Sequence, residues 1–598
     1  MRLFSTENTL SGILQKFDEI GRIRAIEIDM TGRPDALKFE CGEYQDVQRF
    51  PQPAPGERDW YAYEALRMMP RIILMVDRNR FSDTYGCFDR EFWHYRTVDF
   101  PCAMNQEFCL PLALAYKYSF PNNPYQGVER LRELVIAAIR FAEKITHRDG
   151  SCDDYFPFER ALGANVFTTY AMTESYLELE LQEREMVEFF RLRGQWLINN
   201  EESGQLSNHQ ALAALALYNV YTVTGERRFL EGSNEYRDVA LSWQHDEGWF
   251  QEYEGADPGY HSCSISFLAK LWQKSQDASL IKPLQRAVEF ASYFLHPDGS
   301  YAGEYGSRNS YHFYPHGFEV LGVFEPTAHR MVETYLQRAM PERRRYFNDD
   351  NRMCAHYVYE WMYAWRDYHP ERDGVLEDYR ESTQRWFEGA QLFVTKRDRY
   401  YAVVSASKGG CVKVFDQQGP VYSDTGLIGR TKSGEVLVSH LIDEEHQITV
   451  DEERCEIIVE GVMSRRRHPL PSPVKQMLFR IMNLSVGRLA SDMVRFILQK
   501  VLITGTPRSG VRFRRRIRCG DLGVEIDDTI DLAGENIRFE QLAVGSDATS
   551  IYVAASNIFQ ESNLLPWLDL SELVGELNGK GRIDLPTRHS GVGADDAG

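Results

Sequence analysis

The sequence predicts a multidomain α+β protein, an (α/α) toroid of helical hairpins followed by an antiparallel β-sandwich. Three observations carry this. From Trp60 to about Thr383 apolar residues recur at three- and four-residue steps in short segments. Those segments come in pairs, with a period near fifty residues marked by glycine turns. After Arg385 the texture changes to β-branched and aromatic runs separated by turn signals. At 598 residues the chain also exceeds the roughly 250–300 at which one core stops growing.

Residues 1–58 form a mixed N-terminal segment ending in the breaker run Pro51-Gln52-Pro53-Ala54-Pro55-Gly56. Residues 59–383 form the toroid, with helices expected over Val128–Lys144, Val166–Leu181, Glu183–Ile198, Asn208–Thr224, Ser262–Lys274 and Pro283–Leu295. Gly150, Gly204, Gly248 and Gly299, in Asp-Gly-Ser or similar turns, follow helical segments and lie 54, 44 and 51 residues apart. Two helices per period imply stacked hairpins, and about 300 residues hold six or seven of them. An open array is the alternative, weakened by long, aromatic, Gly-rich loops. Residues 384–588 read as the sandwich, interrupted by a basic insertion at 464–511, and 589–598 as a disordered tail.

Composition narrows the function. Aromatic residues at 13% and hydrophobic residues at 43% fit a packed core. No 18-residue apolar run spans a membrane, and the first thirty residues lack a secretory h-region. Ten cysteines without C-x-x-C pairs suggest neither a disulfide framework nor a zinc ribbon. A cytoplasmic protein is expected. The formal charge is −20, yet Arg465–Arg518 holds twelve Arg and two Lys against Asp492 alone, a local +13 that leaves −33 elsewhere. An acidic body disfavours nucleic acid as a partner.

Three polar aromatic loops draw attention: Leu206-Ser207-Asn208-His209-Gln210, Tyr253 to His261, and Asp298 to His316. In a toroid, loops that follow equivalent helices open at one end, so the three are expected at one mouth. Their bland readings are a helix cap for Asn208, a surface position for His209, a turn plug for Tyr260 and a partner of Glu304 for Arg308.

Asn-His at a helix start and Gly-Tyr about fifty residues later, in a toroid followed by a β-domain, resemble the heparinase II/III-like and alginate-lyase-like polysaccharide lyases. The resemblance covers most of residues 60–560. It implies that Asn208 and His209 neutralise a substrate carboxylate and that Tyr260 transfers protons at the scissile bond. The chemistry is sound on its own terms. β-Elimination removes H5, a proton α to a carboxylate, so an amide and an imidazolium on that carboxylate favour the developing dianion. A phenol can act as base or acid when a cation such as Arg308 lowers its pKa from about 10. Tyr305, Tyr311, His312 and His261 are expected to bind sugar. Many relatives carry a zinc site on a His-rich strand pair, but Ser405–Phe415 has no histidine here, so no metal and no cofactor are expected.

The expected partner is an acidic oligo- or polysaccharide, within exopolysaccharide or surface-polysaccharide metabolism. A uronosyl C5-epimerase shares the proton abstraction. A glycoside hydrolase would need two carboxylates about 5–10 Å apart, for which Asp153, Asp154 and Asp257 are candidates. A non-catalytic glycan-binding component is the third class. The segment 474–503 reads as a basic amphipathic stretch, either packed on protein or in peripheral contact with an anionic inner membrane.

Overall fold

The computed structural model describes residues 52–590, apart from 202–203, 340–350, 372–373, 377–382, 467–471, 488–493, 495–507 and 546–566. Most of the N-terminal segment and the end of the tail therefore lie outside the described residues.

Twelve helices make a closed double ring. They are α1 Asp59–Met75, α2 Cys109–Lys117, α3 Glu129–Ile145, α4 Leu162–Glu178, α5 Arg184–Ile198 and α6 Ser207–Thr224. The ring continues with α7 Arg227–Ser242, α8 Pro258–Ser275, α9 Ile281–Ser292, α10 Pro315–Leu321, α11 Pro326–Thr334 and α12 Asn351–Arg366. The even-numbered helices form the inner wall: α2, α4, α6, α8, α10 and α12 each touch the next, and α12 returns to α2. Outer helices α3, α5, α7, α9 and α11 back the inner helix that precedes or follows each in its hairpin, and α1 backs α12. Six hairpins thus close the toroid. The sequence explains the two layers. Outer α3 (ERLRELVIAAIRFAEKI) carries charge on one face, whereas inner α6 (SNHQALAALALYNVYTVT) has no charge beyond His209 and is buried almost all round.

The turns marking the repeat share one geometry. His147, His245 and His296 each accept at their carbonyl from Gly150, Gly248 and Gly299 N–H, and each donates its own N–H four residues on, to Ser151, Trp249 and Ser300. All three glycines have positive φ (94°, 102° and 78°), and a Cβ there would collide with the backbone of the next outer layer, at 2.3 Å from Arg286 O for Gly248. Gly204 departs from this pattern: its φ is not positive, and its nearest neighbour is the Tyr253 ring.

Two antiparallel sheets follow. The first has five strands in chain order, β3 Thr383–Phe387, β4 Leu392–Lys396, β5 Tyr401–Ser405, β6 Cys411–Phe415 and β7 Pro420–Asp424. Its neighbour has ten strands, built around β11 Glu456–Arg466, β12 Arg508–Gly520 and β13 Gly523–Asp531. Alternation divides the faces of the smaller sheet. Phe393, Ala402, Val404, Val412 and Val414 join Ile457, Val459, Phe513 and Ile526 in the sandwich core. Leu392, Val394, Tyr401, Val403, Cys411 and Phe415 instead pack into the core of the toroid. This sheet is therefore covered on both sides, which is why β5 and β6 are buried at every position.

The basic segment divides in two. Its second part is strand β12, whose arginines face acids: Arg514 meets Glu460, Arg516 meets Glu456 and Arg518 meets Glu525. Cross-strand pairing thus neutralises much of the local charge. Its first part is helix α13, Pro473–Met482, capped by Ser472. Phe479 packs on Phe156 of the toroid at 5.4 Å, and Arg480 pairs with Asp99 at 2.7 Å. Most of 488–507 lies outside the described residues. Among the described residues, no helix is long and apolar enough to cross a membrane.

Candidate active site

Each inner helix from α4 to α10 starts at the same end of the ring, and the preceding loops touch there. The Gly163 Cα, at the start of α4, faces the His209 ring, Leu206 bridges Glu252, and Gly259 abuts Ser310. A two-strand hairpin, β1 Gln251–Glu252 and β2 Gly255–Ala256, leads into α8. Asp257 caps that helix by accepting from Tyr260 N–H (3.0 Å), with Pro258 in the first turn, so the helix begins four residues before the expected Ser262 and Tyr260 lies within it rather than in a turn.

Buried Glu252 is the hub. Its Oε1 accepts from both the backbone N–H (3.0 Å) and Nδ2 (2.8 Å) of Asn208, and its Oε2 faces the Arg308 guanidinium at 3.2 Å. The guanidinium lies 3.6 Å from the Tyr260 ring centre and 5.1 Å from that of Tyr253. Asn208, near the start of α6, and Arg308, in the loop before α10, thereby meet on one carboxylate, and Tyr260, near the start of α8, lies against the guanidinium. His209 follows Asn208 on α6, half-buried, edge-on to Phe167 at 5.8 Å. His312 stands perpendicular to Tyr260 at 5.2 Å, with Nδ1 engaged by the Tyr357 hydroxyl.

The electrostatics follow from burial. Desolvation pushes the Glu252 carboxyl up, against the pull of Arg308, Asn208 and His209. Burial works against the Arg308 charge, but Tyr260, Tyr253, Glu252 and Asp257 more than offset it, so its ionisation is raised. A fixed positive charge is thereby held against the face of the Tyr260 ring.

Two bland readings fail. Asn208 makes no cap; it sits one residue inside α6 and gives its amide to Glu252. Arg308 does not pair with Glu304, whose carboxylate is taken by Lys413 at 2.7 Å. Three residues expected to bind sugar are engaged with the protein itself in this structure. His261 spends both ring nitrogens on main chain, Nδ1 on Phe250 N–H and Nε2 on Ala287 O, and burial holds its pKa down to about 4. The Tyr305 hydroxyl meets His296 Nε2 at 2.8 Å, and Tyr311 accepts from Lys413 at 3.1 Å, both fully enclosed. The hydrolase candidates are also engaged. Asp257 binds the N–H groups of Tyr260 and Arg308, Asp153 those of Phe158 and Arg160, and Asp154 accepts from the Cys102 thiol.

Sequence reasoning missed Glu252, which sits in a two-residue strand too short for any pattern. It also missed the pair of His356 Nδ1 and Glu107 Oε1 (2.5 Å), where the His356 ring stacks on Phe167 at 4.2 Å. Among the described residues no cluster of three or more His, Cys, Asp or Glu is arranged to hold a metal ion.

No protein-family model and no curated protein matches the chain. Among solved structures, heparinase III is similar over 76% of this chain and 72% of its own, at 9% identity and a TM-score of 0.44. The Streptomyces coelicolor A3 chondroitin AC lyase is similar over 84% of this chain and 70% of its own, at 8% identity and a TM-score of 0.46. An unsaturated glucuronyl hydrolase from Streptococcus agalactiae is similar over 54% of this chain and 96% of its own, at 10% identity and a TM-score of 0.35.

Proposed function

We propose that the chain is a polysaccharide lyase-like enzyme that cleaves a uronic-acid-containing glycan by β-elimination at the mouth of the toroid. The observation that carries the reading is the Arg308 guanidinium held 3.6 Å over Tyr260 while Glu252 ties it to Asn208. The second Asn208 amide hydrogen and the His209 imidazolium meet the substrate carboxylate and favour the dianion. Tyr260, as phenolate beside Arg308, takes H5; the C4–O4 bond breaks, C4=C5 forms, and O4 receives a proton. Syn elimination returns that proton from Tyr260, and anti elimination draws it from His209. The engaged state of Asp153, Asp154 and Asp257 argues against the hydrolase alternative. Incubation with alginate, glucuronan and heparinoid oligomers tests the reading: an unsaturated, ultraviolet-absorbing product supports it. A product with inverted C5 and no absorbance would make the chain an epimerase, and sugar binding without turnover would make it a glycan-binding component.

We also propose peripheral contact of α13 with an anionic lipid surface. Val474, Met477, Leu478, Ile481 and Leu484 are each 52–61% exposed and recur at helical spacing, in the same segment as Lys475 and Arg480. An apolar stripe with accompanying cations suits the headgroup boundary. Flotation with phosphatidylglycerol vesicles tests it. Binding lost in Met477→Asp/Ile481→Asp supports lipid; unchanged binding, or a wild-type dimer that these substitutions dissolve, overturns it.

A further inference from the structure

The loop that carries Arg308 is held from two sides, and one side belongs to the other domain. On the toroid side, Arg308 N–H donates to Asp257 Oδ2 (2.8 Å), Ser307 N–H to Ala256 O (3.0 Å) and Ser307 Oγ to Glu252 O (3.0 Å). On the sheet side, the turn between β5 and β6 presents Lys408. Gly409 and Gly410 in that turn have positive φ (64° and 81°) and press on Ser439 and Arg515 of the larger sheet, where a Cβ would lie 2.1 Å from Ser439 O. The turn is therefore braced from behind, and the Lys408 ammonium enters the toroid. All three of its donors are used: on Glu304 O, on Gly306 O (2.8 Å) and on Asn309 Oδ1. Strand alternation points Lys413 the same way, opposite Val403, and it grips the Glu304 carboxylate at 2.7 and 3.0 Å. Both lysines are buried, and burial lowers the Lys408 pKa, a cost that only full pairing makes tolerable. Within this loop Ala302 and Asn309 adopt left-handed φ (61° and 55°), conformations that persist only where neighbours enforce them.

We infer that Lys408 and Lys413 are positioning residues for Arg308: the sheet domain fixes the loop whose guanidinium lies against Tyr260, so the site is complete only with both domains. This rests on the functional reading above for its consequence in catalysis, but its physical content is the order of one loop. Hydrogen exchange on the full chain reads that order directly. In Lys408→Met, amides of 303–311 are expected to exchange at least about tenfold faster while those of α8 keep their protection. Unchanged exchange in 303–311, or a loss spread through both domains, overturns the inference. Should Lys408→Met fail to fold, the isosteric pair Lys413→Met/Glu304→Gln removes the other tether without leaving a buried charge and is held to the same criterion.

Turnover adds an independent arm. If the lysines act through Arg308, Lys408→Met lowers kcat in the wild-type background and has no further effect in Arg308→Ala. Additive losses would assign Lys408 a role of its own and overturn the inference. A wild-type chain without elimination activity would remove the lyase reading, and the exchange measurement would still decide whether the sheet orders the loop.

Discussion

Two buried arginines in this molecule live in opposite circumstances. Arg515, in the sandwich, donates to Asp528 through Nε and an Nη (2.9 and 2.7 Å), to Asp424 at 2.7 Å and to Gly410 O at 3.1 Å. Arg588 joins the same two carboxylates, making a closed group of two cations and two anions with Asp424 held well below its usual range. Arg308, in the toroid mouth, has one carboxylate at 3.2 Å and the face of a tyrosine, and its carboxylate partner Glu252 is pushed up rather than down. The first arginine is saturated and spends itself on joining strands from two sheets. The second keeps hydrogen-bonding and electrostatic capacity directed at a phenol. Burial of charge is common to both; how completely the charge is answered is what differs.

The comparison breaks most visibly through Arg515. Arg515→Met leaves Asp424 and Asp528 sharing Arg588 alone, and the expected loss is about 3–5 kcal/mol of stability, read by urea unfolding. Arg308→Ala should cost less stability, because Glu252, already pushed up by burial, can take a proton when the guanidinium is gone, and far more rate. Next come the site residues: Tyr260→Phe and His209→Ala each lower kcat by at least about 10²-fold with an unchanged melting temperature, as removal of an acid–base group does. Near-wild-type rates in both would dissolve the site as assigned.

Acid acts on both domains, by a smaller margin. The His261 pKa is about 4 folded against 6.5 unfolded, so the unfolded chain binds more protons between those values. Its contribution is fully present above pH 6.5 and is lost as pH falls toward 4, up to about 3 kcal/mol. Asp424 is a depressed carboxylate, whose contribution is present above its unfolded pKa and fails only as pH falls below it. Buried His440 in the sandwich is held down to about 3 and loses its contribution over the same range, so helical and sheet signals are expected to weaken together as pH falls from 6.5, and His261→Gln should flatten that slope. The smallest effect belongs to Arg514→Ala. Its pair with Glu460, 3.1 Å across neighbouring strands, is solvent-exposed, and the change in unfolding free energy should stay within about 0.5 kcal/mol.

How much of this the sequence disclosed follows from the range of the forces involved. Helices were legible because their periodicity is local: Arg184–Ile198 and Ser207–Thr224 fall within a residue of the expected segments at each end. The start of α8 was not: Asp257-Pro258-Gly259 reads as a turn ahead of a helix at Ser262, whereas Asp257 caps a helix that already begins at Pro258. Asn208 and Tyr260 stood out because an amide and a phenol at helix starts, in equivalent loops, fall at one end of a ring. Glu252, Lys408 and Lys413 stayed hidden because their partners lie 44 to 109 residues away, and nothing local distinguishes them from surface charges. The imidazole of His261 misled for the converse reason: beside Tyr260 in sequence, one step around the helix turns it from the mouth to Phe250 and Phe290.

The smaller sheet, apolar on both sides, is a party wall. Neither the ring nor the larger sheet has a complete exterior without it, so a cut through the linker near residue 375 would yield two fragments with raw hydrophobic flanks rather than two modules. Natural variation in this architecture must then change ring and wall in concert, and a transplanted toroid would need to bring its wall along.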